Sequence, residues 1–108
     1  MPKGYFFGEF EIADPVGYDA YRAKVPEIIS AHGGRILVRG GDPQPLDGLM
    51  PQQRRFIIVE FDSPEAVKTF YYSDAYQALL PIRLNVSTGN GFAGLLTGGS
   101  HPVKGVGG

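Results

Sequence analysis

At 108 residues, 43% of them hydrophobic, the chain has the length and composition of one domain built on one core. Lys+Arg 10 against Asp+Glu 11 gives a formal net charge of -1, which removes the basic excess that nucleic acid or an anionic membrane surface requires. With no cysteine, disulfides, thiolate zinc sites and a cysteine nucleophile are excluded.

Residues 1–8 lack the basic start and apolar run of a secretory signal, and no stretch reaches transmembrane length, so a cytoplasmic protein is expected. Residues 4–12 alternate with period two, which predicts a strand with Phe6, Gly8, Phe10 and Ile12 on one face and Tyr5, Phe7, Glu9 and Glu11 on the other. Asp14-Pro15 has the form of a helix N-cap followed by proline in the first turn. Tyr18, Tyr21, Val25, Ile28, Ile29 and His32 then recur at helical spacing up to Gly33-Gly34, with Pro26 predicting a kink or restart. Residues 35–40 and 54–61 read as the second and third strands. Between them the Pro/Gly-rich stretch 41–53 is long enough for a lid, a binding segment or a dimer arm.

The first strand-to-helix junction is then repeated. Glu11-Ile12-Ala13-Asp14-Pro15 is echoed 49 residues later by Glu60-Phe61-Asp62-Ser63-Pro64, with Val67 and Phe70 matching Tyr18 and Tyr21. A helix from Ser63 to about Tyr72 is followed by a helical segment from Ser73, which carries Tyr76, Leu79, Leu80 and Arg83 and is interrupted by Pro81. A strand over 89–97 completes the order β-α-β-β-α-β, a ferredoxin-like α+β fold in a single domain over 1–97. Residues 98–108 are Gly-rich and are expected to form a disordered tail.

The third strand, Phe56-Ile57-Ile58-Val59-Glu60-Phe61, is apolar on both faces, whereas a half-solvated antiparallel strand alternates with polar residues. Right-handed crossovers put both helices on one side, so Tyr5, Phe7, Phe56 and Ile58 are left for a second chain to cover. The expectation is a homodimer whose two sheets enclose a barrel-like interior. By parity Glu9, Glu11 and Glu60 also face that interior, near one end, joined by Arg35, Leu37 and Arg39 from the second strand.

Asp14-Pro15 with Tyr18 and Tyr21, Pro26, Gly33-Gly34-Arg35, Arg39-Gly40-Gly41, Val59-Glu60-Phe61 with Ser63, and Tyr71, Ser73, Tyr76-Gln77 and Arg83 together resemble the domain-of-unknown-function thirteen-thirty (DUF1330) family. The chain departs from that family's usual pattern at Asp74-Ala75 and at Pro81. The resemblance implies membership of the dimeric α+β barrel superfamily, with a ferredoxin-like fold and a barrel dimer, and implies no reaction. In architecture it is similar to cofactor-free oxygenases and lactone isomerases.

Glu60 is the first candidate for chemistry, because a carboxylate in an enclosed aromatic cavity would have its pKa raised by desolvation and would serve as a general base. An ion pair with Arg35 is the structural alternative. Glu9 shares the logic more weakly, and His32 at a helix C-terminus is either catalytic or held there by the helix dipole. Tyr5, Phe7, Arg35, Arg39 and Arg83 are the candidate ligand-binding residues. No metal loop, dinucleotide or P-loop context and no Ser-His-Asp order is present, so neither metal nor cofactor is expected. Two functions remain open: a protein that binds or transforms a small organic molecule in the barrel interior, and a non-catalytic dimeric binding or interaction module.

Overall fold

Helix starts are set by local chemistry. The Asp14 side chain accepts the Gly17 N–H at 3.0 Å, Ser63 Oγ accepts that of Ala66 at 3.1 Å and Ser73 Oγ that of Tyr76 at 3.2 Å. Each satisfies an N–H that the first helical turn leaves without a carbonyl partner. In the computed structural model, which describes residues 2–49 and 54–101, these caps open three helices. The order is β1 (Gly4–Ile12), α1 (Pro15–Ala31), β2 (Arg35–Gly40), β3 (Arg54–Phe61), α2 (Pro64–Tyr71), α3 (Asp74–Val86) and β4 (Ser87–Thr97). The second crossover is thus split into two helices at the Ser73 cap.

The four strands form one antiparallel sheet in the order β2-β3-β1-β4, the ferredoxin-like arrangement. Its helix-facing side buries Phe6, Phe10, Ile57, Val59 and Phe61 against Tyr21, Val25, Ile29, Val67, Phe70, Tyr76 and Leu79. Each large side chain removed from water contributes about 1.5–3 kcal/mol, so this single layer of contacts supplies most of the drive to fold. Within it the Tyr21 and Tyr76 hydroxyls are hydrogen bonded at 2.8 Å, and burial pushes both phenols above their ordinary pKa.

Neither internal proline breaks its helix: α1 runs on through Pro26 and α3 through Pro81. At Pro26 the helix continues without a restart, and the carbonyl the proline leaves free finds a donor from outside the helix. Proline has no N–H for the carbonyl four residues back, that of Arg22. The Arg39 guanidinium reaches over from β2 and donates to that carbonyl.

Arg39 can do so because of a bulge. Ile36 pairs with Val59, but Val38 pairs with Ile58, leaving Leu37 unpaired. One extra residue reverses the parity of the rest of the strand. Arg35 therefore shares the open face with Glu60, whereas Arg39, opposite the buried Ile57, turns to the helix side. This corrects the expectation that Arg35, Leu37 and Arg39 lie on one face.

Gly98, the first residue of the expected tail, donates its N–H to the Lys3 carbonyl at 2.8 Å. The rest of that tail from 102 onward, and residues 50–53 of the long connection, lie outside the described residues; 41–49 carry neither helix nor strand. Among the described residues no helix is long and apolar enough to cross a membrane.

Candidate functional site

The face of the sheet turned away from the helices is built in rows by the β1–β3 register, which sets Tyr5 opposite Glu60, Phe7 opposite Ile58, Glu9 opposite Phe56 and Glu11 opposite Arg54. Cross-strand partners share a face, so each row projects together.

The first row is polar and closed on itself. The Tyr5 hydroxyl donates to Glu60 Oε2 at 3.0 Å, while Arg35 Nε and Nη2 donate to Glu60 Oε1 at 3.1 and 2.9 Å. Arg35 Nη2 also reaches Asp62 at 3.3 Å, and Lys3 Nζ reaches Asp62 at 3.2 Å. The bonds from Arg35, then that from Tyr5, hold the Glu60 carboxyl below the usual carboxylate range. This corrects the sequence expectation of a raised pKa: in the single chain the facing cations and phenol outweigh desolvation. The same bond to Glu60 raises the Tyr5 phenol, which stays protonated beside the carboxylate.

Glu9 is not part of that row. Because β1 and β3 run antiparallel, the end of β3 meets the start of β1, so Glu60 and the pair Glu9 and Glu11 stand at opposite ends of the sheet. The expected cluster of three carboxylates is thereby divided. Glu9 Oε1 pairs with Arg54 Nη1 at 2.9 Å, and Glu11 Oε1 accepts from the Asn90 amide at 3.4 Å. Among the described residues no group of three His, Asp or Glu side chains is arranged to hold a metal ion.

Between the two polar ends lies an apolar stripe. Phe7 stacks on Phe92 with ring centroids 5.6 Å apart, beside Ile58 and Val38. Phe92 is 51% exposed, Leu96 56% and Leu37 53%. Arg54 and Phe92 were not singled out from the sequence, although strand parity carries both: Arg54 is in phase with Phe56, Ile58 and Glu60, and Phe92 with Leu96.

The remaining candidates lie elsewhere. His32 caps α1, its Nδ1 2.8 Å from the Ile28 carbonyl and its ring edge-on to Phe70, away from Glu60 and Glu9. Arg39 lines a broad depression of about 720 Å³ on the loop side, with Arg54, Arg55 and Gly41. Arg83 of α3 is buried on the helix side, 5% exposed, its guanidinium carbon 4.2 Å from the centroid of the Phe10 ring.

This geometry joins others of the same shape. A cofactor-independent oxygenase, SnoaB from Streptomyces nogalater, matches with a TM-score of 0.65 at 13% identity, over 94% of this chain and 97% of that one. A protein from Caulobacter crescentus CB15 described as a candidate antibiotic biosynthesis monooxygenase matches with a TM-score of 0.66 at 12% identity, over 92% of each chain. The RPA0582 protein of unknown function from Rhodopseudomonas palustris matches with a TM-score of 0.68 at 15% identity, over 93% of this chain and 85% of that one. At such identities the likeness is one of fold. No curated protein matches the chain in sequence. The family model described as Domain of unknown function (DUF1330) matches residues 3–93, and the chain belongs to that family.

Proposed function

We propose that two copies of this chain pair through the open face of the sheet and hold a small organic molecule in the space between them. The observation that carries this reading is the apolar stripe of Phe7, Phe92, Ile58 and Leu96, uncovered in the single chain and bounded at both ends by ion pairs. Monomeric proteins seldom leave a contiguous apolar surface of this kind open to water. Ion pairs at its rim fix register between two surfaces more than they add affinity. The oxygenase and monooxygenase names carried by proteins of the same fold agree with a small organic substrate.

Within this reading Glu60 is the candidate base. It is ionised at neutral pH, borders the stripe, and has a protonated phenol, Tyr5, beside it to return a proton. A second reading, a non-catalytic dimeric module, is favoured by one specific observation: both oxygens of Glu60 are engaged, one by Arg35 and the other by Tyr5.

Native mass spectrometry of protein purified from its own host tests the proposal. The expected result is a dimer that carries additional small-molecule mass. A bare dimer favours the non-catalytic module, and a monomer overturns the pairing on which both readings rest.

A further inference from the structure

We propose that Arg83 anchors the carboxylate of a single-ring organic acid in a pocket on the helix side of the sheet. The pocket opens beside α3 on the helix side of the sheet, meets the open face only at Phe92 and Asn90, and is built within one chain.

Arg83 is buried to 5% exposure, and among the described residues no carboxylate lies within ion-pair distance of it. Its Nε is buried without a hydrogen-bond partner. The surrounding groups do not balance the charge. Phe10 offers its ring face, at 4.2 Å, and Tyr76 its hydroxyl, but that phenol, like those of Tyr18 and Tyr21, is kept neutral by burial. A guanidinium removed from water and left without an anion is unfavourable, and its planar fork of donors matches a carboxylate in two parallel bonds.

The space beside it suits such a ligand. Arg83, Phe10, Tyr71, Leu84, Ser87 and Ala93 line a pocket of about 190 Å³. An apolar cavity of roughly 150 Å³ accepts one benzene ring, so a ring bearing a carboxylate is the size class that fits. The pocket wall at the start of β4 includes Gly89 and Gly91, whose φ values of 91° and 128° exclude most side chains and keep that wall thin. Walls that are mostly apolar, with Ser87 and Asn90 as polar exceptions and one buried cation, select a molecule with an apolar body and a single negative end.

Benzoate is the probe, with benzyl alcohol as its neutral counterpart of similar size, titrated into the protein and followed by amide NMR shifts. The expected result is saturable benzoate shifts at Phe10, Ser87 and Ala93, with benzyl alcohol at least about tenfold weaker. Arg83→Met should lower benzoate affinity at least about tenfold while the protein stays folded. Should that variant fail to fold, Arg83→Lys, which keeps the charge and loses the fork, should still weaken benzoate relative to benzyl alcohol. Equal affinity for the two probes, or benzoate shifts confined to residues outside the pocket, overturns the proposal.

Discussion

The Arg39 guanidinium donates to the main-chain carbonyl of Arg22, the one acceptor in α1 that Pro26 leaves without a helical donor. A strand residue thus completes a helix. Removing it leaves a carbonyl to be satisfied by water alone, so Arg39→Ala should destabilise the chain by about 1 kcal/mol. Pro26→Ala restores the helical N–H, and in that background the Arg39 substitution should lose most of its effect. Urea unfolding of the four proteins of this cycle measures the coupling; full additivity would show that the two groups act independently.

The Tyr5–Glu60–Arg35 row sets a pH dependence. Glu60 and Asp62 have folded pKa values below their ordinary 4.5 and 3.8, so the unfolded chain binds more protons in the acid range. Their contribution to stability is therefore present above those ordinary values and is lost as pH falls through the depressed ones. Glu60→Gln should flatten this acid limb in thermal melts taken from neutral pH downward. Arg35→Ala should move the Glu60 carboxyl titration upward further than Tyr5→Phe does, because the Arg35 bonds are the larger cause. If Glu60→Gln also abolishes ligand binding or turnover with the proposed dimer intact, the base role stands; retained binding with lowered stability supports the ion pair.

Phe7 stands at the centre of the uncovered stripe, stacked on Phe92. Phe7→Asp sets a carboxylate there without disturbing the helix-facing core, and should convert the proposed dimer to monomer or aggregate. Sedimentation equilibrium reads the outcome. A soluble, unchanged dimer would move the interface to another surface.

The hydroxyls of Tyr21 and Tyr76 satisfy one another in the core, 2.8 Å apart. Tyr21→Phe takes from the buried Tyr76 hydroxyl its 2.8 Å partner and should cost about 1–3 kcal/mol. The double variant, Tyr21→Phe with Tyr76→Phe, should be more stable than the sum of the single effects, since no orphaned hydroxyl remains. Chemical denaturation of the three variants checks this.

Gly91 has φ 128°, and a Cβ built there would lie 2.1 Å from the Glu9 carbonyl oxygen. Backbone cannot yield as a flexible side chain does, so Gly91→Ala should destabilise by about 3 kcal/mol or more and loosen the β1–β4 pairing. Gly89→Ala is the comparison, because its φ of 91° also lies beyond the left-handed helical basin while its Cβ would meet nothing within 4 Å. Equal melting temperatures for the two variants would remove the steric argument.

What could be read from the chain alone follows from interactions of short range. Alternation in residues 4–12, the Asp14-Pro15 and Ser63-Pro64 caps and the helical spacing after them each depend on neighbours within a few positions, and they led to the order of elements and to the side the helices cover. What could not be read depends on partners distant in sequence. Antiparallel register, a relation between residues some fifty positions apart, joined Glu60 to Tyr5 and parted it from Glu9. A single unpaired residue, Leu37, turned Arg39 from the open face to the Arg22 carbonyl, because an insertion of one inverts a period of two. The charge of Arg83 is legible at its position in the chain, but its burial beneath α3 with no carboxylate among the described residues to pair it is a property of the packed molecule, since it is the sheet behind it, through Phe10, that excludes the water.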